Sequence, residues 1–125
     1  MRTAAQQLGD AAEELVAARL VEAGWRILGR RVRVGRAELD IVGVDPGPPA
    51  ALVVVEVRWR SRRDYGLAEE TIDHAKRARL LGAGHALRER GMLANGAPIP
   101  LLPMRFDLVV VEPGGIRHHR HGLRA

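Results

Sequence analysis

Apolar residues recur at helical spacing in two stretches of the chain, one near its start and one in its second half. In residues 4–23 the apolar positions fall on one arc of a helix, and Gly24 is a suitable C-terminal stop. Residues 67–90 repeat this pattern, although Gly82 and Gly84 each weaken a helix by roughly 1 kcal/mol relative to alanine. The pattern predicts two amphipathic helices.

Runs rich in valine, isoleucine and leucine predict four strands. Three of them, at 25–34, 37–44 and 51–60, lie between the two predicted helices, and the fourth, at 104–111, follows the second helix. The element order is α-β-β-β-α-β. This order predicts a small α/β domain in which helices flank a mixed central sheet.

The last residues of the chain differ from the rest in composition. They are rich in glycine, histidine and arginine, so we expect residues 1–112 to form a single domain and residues 113–125 to form a flexible basic tail. Metal ligands need fixed positions, so three histidines of the tail are interpreted as solvated rather than metal-binding. They are His118, His119 and His121.

The composition indicates an anionic partner. The chain of 125 residues has a formal net charge of +5 and a sequence pI near 11.1, and Lys76 is its only lysine. The arginines cluster at 30–36, 58–63 and 77–90. Such clusters predict a nucleic-acid-binding surface, although a coding bias toward arginine would produce a similar composition.

The composition also excludes several kinds of site and location. The absence of cysteine excludes disulfides, thiolate metal ligands and a cysteine nucleophile. The N-terminal residues lack the apolar core of a signal peptide, and no apolar run approaches the roughly 20 residues of a membrane span. We therefore expect a cytoplasmic protein with no membrane partner.

Carboxylates alternate with apolar residues in the second and third predicted strands. Successive side chains of a strand point to opposite faces, so Glu38 and Asp40 share one face. Glu56 and Arg58 share a face of the next strand for the same reason. Burying a carboxylate costs free energy unless its charge is compensated. A metal ion, a salt bridge or a catalytic role would supply that compensation.

The connection between these two strands makes the pairing more specific. Residues 45–50 form a proline-rich segment that favours neither strand nor helix. An antiparallel hairpin centred on Pro48 would pair Asp40 with Glu56, with their Cβ atoms roughly 4.5–5.5 Å apart. It would also pair Glu38 with Arg58. A divalent cation between the two carboxylates would turn their repulsion into ligation.

The predicted carboxylate cluster matches the ligands of a hard divalent cation. A magnesium-type site typically uses one or two carboxylates, with water and substrate phosphate as further ligands. Asp40 and Glu56 could supply the carboxylates, with Glu13 or Glu38 assisting. Arg58 could hold a phosphate or stabilise charge in a transition state. Surface ion pairs on edge strands produce the same pattern, so a purely structural role is the alternative.

A set of short motifs is distributed over most of the chain, from about residue 8 to residue 111. The segments are Gly9-Asp10-Ala11-Ala12-Glu13, Gly24-Trp25-Arg26-Ile27-Leu28, Ala37-Glu38-Leu39-Asp40-Ile41-Val42, Val54-Val55-Glu56-Val57-Arg58-Trp59-Arg60, Gly66, Lys76 and Arg105-Phe106-Asp107. This array resembles the bacterial YraN family. Proteins of that family look like small members of the restriction-endonuclease-like PD-(D/E)XK superfamily, close to archaeal Holliday-junction resolvases.

The resemblance implies a restriction-endonuclease-like fold, a Mg²⁺ or Mn²⁺ cofactor and cleavage of nucleic acid, with branched DNA as one candidate substrate. It places Asp40 and Glu56 on the two acidic metal ligands of the superfamily. Glu13 corresponds to a helical glutamate that assists the metal site in resolvase-like members. Glu38 belongs to the same motif as Asp40, and this motif begins here with Ala37 in place of glycine.

Arg58 departs from the superfamily pattern, in which this position is lysine. Arginine stays protonated and cannot accept a proton from water, but it can hold a phosphate and offset charge. Two functions therefore stay open: a metal-dependent endonuclease with catalytic residues Asp40, Glu56 and Arg58, and a non-catalytic nucleic-acid-binding module. A protein-interaction subunit with structural carboxylates is a third alternative.

Nucleic acid, with DNA as the first expectation, is the predicted partner. Arg60 shares the strand face of Arg58, and Lys76 and Arg77 lie on a basic face of the second predicted helix. Lys76 also matches the family pattern. Arg60, Lys76 and Arg77 are therefore the expected nucleic-acid contacts; for Lys76 and Arg77, a solvated basic face of the helix is the alternative. Resolvase-like relatives act as dimers, and a junction substrate would require a homodimer.

Two further pairs of residues are candidates for structural roles. Arg105 and Asp107 share a face of the last predicted strand and could pair with each other, and their match to the family leaves a role in folding and a role in chemistry both open. Trp25 and Trp59 are interpreted as core residues. For Trp59, which lies between two arginines, stacking on a nucleic-acid base is the alternative.

Overall fold

The computed structural model describes residues 1–61 and 72–123, in which two helices lie on opposite faces of a five-stranded sheet. The predicted α/β class and mixed sheet are confirmed. In chain order the elements are α1 Ala4–Glu22, β1 Arg26–Val34, β2 Ala37–Asp45, β3 Ala51–Trp59, α2 His74–Arg90, β4 Met104–Glu112 and β5 Gly115–His119.

The strands of the sheet follow one another in chain order, β1-β2-β3-β4-β5. β3 and β4 are parallel and are connected through α2, whereas the other neighbouring pairs are antiparallel. The element order is α-β-β-β-α-β-β, which is one strand longer than the sequence predicts.

The additional strand comes from the segment expected to be a flexible tail. Residues Gly115–His119 pair antiparallel with β4 after a turn at Pro113 and Gly114. Leu123, beyond the strand, is fully buried. The structure therefore places a strand, β5, in residues that the composition assigns to a flexible tail. The composition is misleading here because this mostly polar segment is held by backbone pairing with β4 and by the burial of Leu123.

The hairpin of β2 and β3 has the predicted register. Ile41 lies opposite Val55, and the pairing continues to Asp45 opposite Ala51. This is the register expected for a turn centred on Pro48. It places the two predicted metal ligands, Asp40 and Glu56, one position beyond the pair of Ile41 and Val55.

An apolar core lies on each face of the sheet, and alternate residues of β3 contribute to one or the other. Val54 belongs to the core that contains Leu80 of α2. Val55 belongs to the core that contains Val16 of α1. Because side chains alternate along a strand, Glu56 lies on the α2 face, at the end of an apolar run.

The start of α2 is fixed by a side-chain cap. Asp73 accepts a hydrogen bond of 2.7 Å from the backbone N–H of Lys76, so the helix begins at His74. The helix ends at Gly91, which adopts the left-handed conformation that glycine favours. Residues 67–71, where the sequence predicts the start of this helix, lie outside the described part of the chain. Within the described part, no helix is long and apolar enough to cross a membrane.

Gly84 allows α2 to approach the sheet closely. A Cβ atom on Gly84 would lie 2.5 Å from Cε1 of Phe106 and 3.3 Å from Cγ2 of Val54. A Cβ atom on Gly82 would meet nothing within 4 Å. Packing therefore requires a glycine at the first position and not at the second, although both are unfavourable for the helix itself.

Candidate active site

Asp40 of β2 and Glu56 of β3 form a hydrogen-bonded carboxyl pair. Oδ2 of Asp40 also accepts a hydrogen bond of 2.8 Å from the backbone N–H of Val57. Glu56 is only 5% exposed. The predicted cross-strand pair is therefore present, and it lies just beyond the last backbone pair of the hairpin, Ile41 with Val55.

The environment of Asp40 keeps a proton on the pair near neutral pH. Burial raises the pKa of Asp40, and the charge of Glu56 and the hydrogen bond to it raise the pKa further, to about 8. The hydrogen bond from Val57 opposes this shift, and the charge of Glu13 adds a smaller contribution to it. A cation bound between the two carboxyl groups would take the place of the shared proton.

Two basic side chains lie beside Glu56. Nζ of Lys76 is 3.1 Å from Oε2 of Glu56, and Nε of Arg58 is 3.6 Å from the same oxygen. Lys76 extends from the first turn of α2, and its position there is fixed by the Asp73 cap. The negative charge of this buried carboxylate is therefore balanced from a helix and from its own strand.

The carboxyl pair faces a cavity of about 540 Å³ between α2 and the turn that joins β1 to β2. Three acidic and three basic side chains line it in the described part of the chain. A cavity with both kinds of group suits a divalent cation together with an anionic substrate. The charged lining residues are Arg36, Glu38, Asp40, Glu56, Lys76 and Arg79.

Glu13 of α1 lies near the pair, but its carboxylate contacts other residues. Its Oε1 is 3.4 Å from Nε of Arg31 and 3.8 Å from a terminal nitrogen of Arg30. Burial raises the pKa of Glu13, although the hydrogen bond and charge of Arg31 act against this. In the described part of the chain, no three acidic or histidine side chains form a group that could hold a metal ion. Of the four predicted ligands, the structure thus joins only Asp40 and Glu56 in direct contact.

Glu38 lines the cavity but does not form the predicted ion pair with Arg58. Its backbone lies opposite Arg33 of β1, and its side chain is exposed. The prediction required the β2–β3 ladder to continue past Ile41, whereas the ladder ends there. Arg58 contacts Glu56 instead. The ligand role of Glu38 stays a prediction.

The three predicted nucleic-acid contacts lie in different places. Lys76 lines the cavity, whereas Arg60 and Arg77 do not. The backbone N–H of Arg60 donates to the carbonyl of Val111 at 2.9 Å, which extends the pairing of β3 with β4. The side chains of Arg60 and Arg77 are half-buried. Their contact with nucleic acid stays a prediction.

Arg36 and Arg79 also line the cavity, although neither is among the predicted nucleic-acid contacts. Arg79 lies three residues after Lys76 and therefore shares its face of α2, which is a signal the sequence contains. Arg36 lies in the β1–β2 turn, directly before β2. Both belong to the recognised arginine clusters, but only the packing of α2 over the sheet decides which arginines face the carboxyl pair.

A second charged cluster lies on the α1 face of the sheet. Arg105 donates to both carboxylate oxygens of Asp107, at 2.8 and 2.9 Å, as predicted, and also to Asp45 at 2.8 Å. Nε2 of His118 is 2.8 Å from Asp107, so this histidine is anchored rather than solvated. The ring of Trp25, buried as predicted, lies 5.7 Å from the guanidinium carbon of Arg105. The cluster joins β2, β4 and β5.

Residues 12–111 match the family model described as "Uncharacterised protein family UPF0102". The chain belongs to this family. A UPF0102 protein of Roseiflexus castenholzii is 40% identical over 108 residues, which cover 86% of this chain and 81% of that protein. A UPF0102 protein of Symbiobacterium thermophilum is 38% identical over 109 residues, which cover 87% of this chain and 85% of that protein. These matches confirm the YraN (UPF0102) family predicted from the motifs. The names of these relatives state no activity.

Proposed function

We propose that the chain is a metal-dependent endonuclease of the restriction-endonuclease-like PD-(D/E)XK superfamily, which hydrolyses phosphodiester bonds of nucleic acid. One observation carries the proposal: a carboxyl pair, half-buried Asp40 with buried Glu56, faces a cavity that three cations also line. Carboxylate oxygens favour Mg²⁺ or Mn²⁺, and basic side chains favour phosphate. DNA is the first candidate substrate.

The architecture supports the superfamily assignment. The resemblance implies a mixed sheet flanked by helices, with the two acidic ligands on neighbouring strands. The sheet is mixed, α1 and α2 cover its two faces, and the neighbouring strands β2 and β3 carry Asp40 and Glu56. The family motifs and the carboxyl pair therefore point to the same two residues.

The donor set fits a hard divalent cation, because such an ion needs only one or two protein carboxylates when water and phosphate complete its coordination. Asp40 and Glu56 would hold it, and Asp40 would release its proton as the cation binds. When bound, the cation supplies Lewis-acid stabilisation of charge on the phosphate and makes water a better nucleophile.

The protein's own residues position the two carboxyl groups before any substrate arrives. The backbone N–H of Val57 holds Asp40, while Lys76 and Arg58 hold Glu56 from two directions. Groups fixed in advance need little rearrangement during the reaction, which is a general source of catalytic rate.

A non-catalytic nucleic-acid-binding module is the second candidate, and Arg58 is the observation that favours it. Arginine cannot accept a proton from water, so a mechanism that requires a neutral lysine at this position would fail. Binding to phosphate requires only fixed cations, which the cavity has. The endonuclease and the binding module are therefore expected to have similar affinity for nucleic acid, and only the endonuclease cleaves it.

Cleavage of labelled duplex, single-stranded and four-way-junction DNA with Mg²⁺ or Mn²⁺ tests the proposal. The parent is compared with Glu56→Gln, which keeps the shape of the side chain, and with Glu14→Gln, which removes a carboxylate from a side chain that is 80% exposed. We expect the parent and Glu14→Gln to cut and Glu56→Gln not to cut. Calorimetry of Mn²⁺ binding without DNA should show the same difference.

The alternatives give different results in the same experiment. No cutting by the parent, with DNA binding that weakens steeply as salt rises, would replace the endonuclease by the binding module. The absence of salt-sensitive binding would exclude both and leave a protein-interaction subunit. Cutting of the four-way junction would require two active sites, so light scattering should then show a homodimer on the DNA.

A further inference from the structure

The residue at the position of the superfamily's lysine, Arg58, is not one of the basic residues that line the cavity in the described part of the chain. Arg58 occupies the motif position, but only its Nε lies near Glu56, at 3.6 Å, and Arg58 is not among the described residues that line the cavity. Lys76 of α2 lines the cavity and lies closer to the same carboxylate oxygen, at 3.1 Å. The ammonium group expected from β3 thus comes from α2 in this chain.

We propose that Lys76, and not Arg58, binds the substrate phosphate beside the carboxyl pair, and that Arg36 and Arg79 hold the same backbone segment. This deepens the proposed function and rests on nucleic acid being the substrate. The three residues are called the cation cradle below. The ligand that it recognises is the phosphodiester backbone of DNA.

The geometry of Lys76 leaves it free to bind two partners. An ammonium group has three N–H donors, and the contact with Glu56 uses one of them. The remaining donors can bind phosphate oxygens while the contact with Glu56 persists. The Asp73 cap fixes the first turn of α2, so the lysine extends toward the pair from a rigid position.

Arg79 and Arg36 widen the cradle on two sides. Arg79 lies on the same face of α2 as Lys76, and Arg36 lies across the cavity, in the β1–β2 turn. The three cations of the cradle share the cavity with three carboxyl groups in the described part of the chain, and one of these, Glu56, is also in contact with Arg58 outside the cradle. Arg58 then serves to neutralise Glu56.

Salt-dependent binding of a labelled duplex, measured by fluorescence anisotropy in EDTA from about 50 to about 200 mM salt, tests the cradle without any cleavage. Each lost phosphate contact should reduce the slope of log K against log salt by about 0.9. We expect this reduction for Lys76→Gln, Arg79→Gln and Arg36→Gln. We expect no reduction for Lys76→Arg, which keeps the charge, or for Arg58→Gln.

Arg19→Gln is the matched control, because it removes one exposed positive charge from α1, which does not line the cavity. Its slope should equal that of the parent. Arg79 is also exposed, so Arg79→Gln tests the cradle even where Lys76→Gln unfolds the protein. Unchanged slopes for Lys76→Gln and Arg79→Gln, or a reduced slope for Arg58→Gln alone, would overturn the proposal.

The results separate this proposal from the endonuclease itself. Reduced slopes in a protein that cuts no DNA would support the cradle and refute only the catalysis. Parent-like slopes in a protein that cuts DNA would refute only the cradle. A parent that binds no DNA would refute both. Where cutting occurs, Lys76→Gln should lower the single-turnover rate by about 10²-fold at saturating protein.

Discussion

The side chain of Asp40 is hydrogen-bonded to the side chain of Glu56, and this pair, half-buried at Asp40 and buried at Glu56, holds one proton near neutral pH. Burial and the charge of Glu56 raise the pKa of Asp40 from 3.8 to about 8. The native protein therefore keeps a proton that the unfolded chain has already released. In EDTA, the stability due to this group is complete below about pH 4 and is lost as the pH rises to about 8.

Asp40→Asn should remove the loss of stability that accompanies a rise in pH from about 4 to about 8. The amide can donate to Glu56 and accept from the N–H of Val57, and it does not ionise. We expect the variant to match the parent at acid pH and to be more stable above about pH 8. Denaturant unfolding in EDTA at several pH values measures this, and the exposed Glu14→Gln serves as the control. Parallel profiles for Asp40→Asn and the parent would contradict a shared proton.

The buried Arg105–Asp107 ion pair should show the opposite dependence on pH. Burial alone would raise the pKa of Asp107, but hydrogen bonds from His118, Arg105 and the backbone N–H of His121 hold it below its usual value. Its contribution to stability is therefore present at neutral pH and is lost as the pH falls through that lowered pKa. Asp107→Asn should cost about 3–5 kcal/mol at neutral pH, because Arg105 loses a buried partner.

Urea unfolding at neutral and acid pH checks this prediction. The control is Asp10→Asn, which removes a carboxylate from more exposed ion pairs with Arg2 and Arg31. Such pairs contribute about 0–1 kcal/mol. An equally small cost for Asp107→Asn, or a cost that does not shrink in acid, would show that the cluster is not ionised as described.

Two glycines in α2 should respond to alanine in opposite directions. Gly82→Ala places a methyl group where nothing lies within 4 Å, so the gain in helix propensity should stabilise the protein by roughly 0.5–1 kcal/mol. Gly84→Ala places its Cβ 2.5 Å from Phe106, and overpacking should cost about 1–3 kcal/mol. Thermal unfolding of both variants measures the difference. Stabilisation by Gly84→Ala would mean that α2 lies farther from the sheet.

Leu123 tests the position of the segment beyond β5. Its side chain is completely buried, so Leu123→Ala should cost about 2–5 kcal/mol. Leu101→Ala, at a position that is 88% exposed, should be nearly neutral. Chemical unfolding of the two variants makes the comparison. Equal and negligible costs would restore the flexible tail that the composition predicts.

The sequence predicts the carboxyl pair well because a local feature determines it. The proline-rich turn between β2 and β3 is short, and two apolar strands in alternating pattern leave one register that buries both. Asp40 and Glu56 follow from that register. The predicted Glu38–Arg58 ion pair is absent because the backbone pairing of the hairpin ends at Ile41 and Val55, before it reaches these two residues.

The sequence does not predict features that depend on contacts between distant segments. Arg36 and Arg79 are two of many arginines, and only the packing of α2 over the sheet brings these two to the cavity. β5 is missed for a different reason, since it pairs with the adjacent strand β4 across a two-residue turn but is itself mostly polar. His118 contacts Asp107 and Arg117 contacts Glu112 at 2.9 Å, so residues of β4 hold this strand through polar contacts as well.

The buried position of Asp107 also sets an order for the assembly of the protein. Two groups that hold this carboxylate, the ring of His118 and the backbone N–H of His121, lie 11 and 14 residues further along the chain. A ribosome delivers these residues after β2 and β3, which carry Asp40 and Glu56. The nascent chain therefore contains both carboxylates of its proposed active site before it contains the groups that hold Asp107. Synthesis must pass His121 before the sheet that carries the site can form all of these contacts.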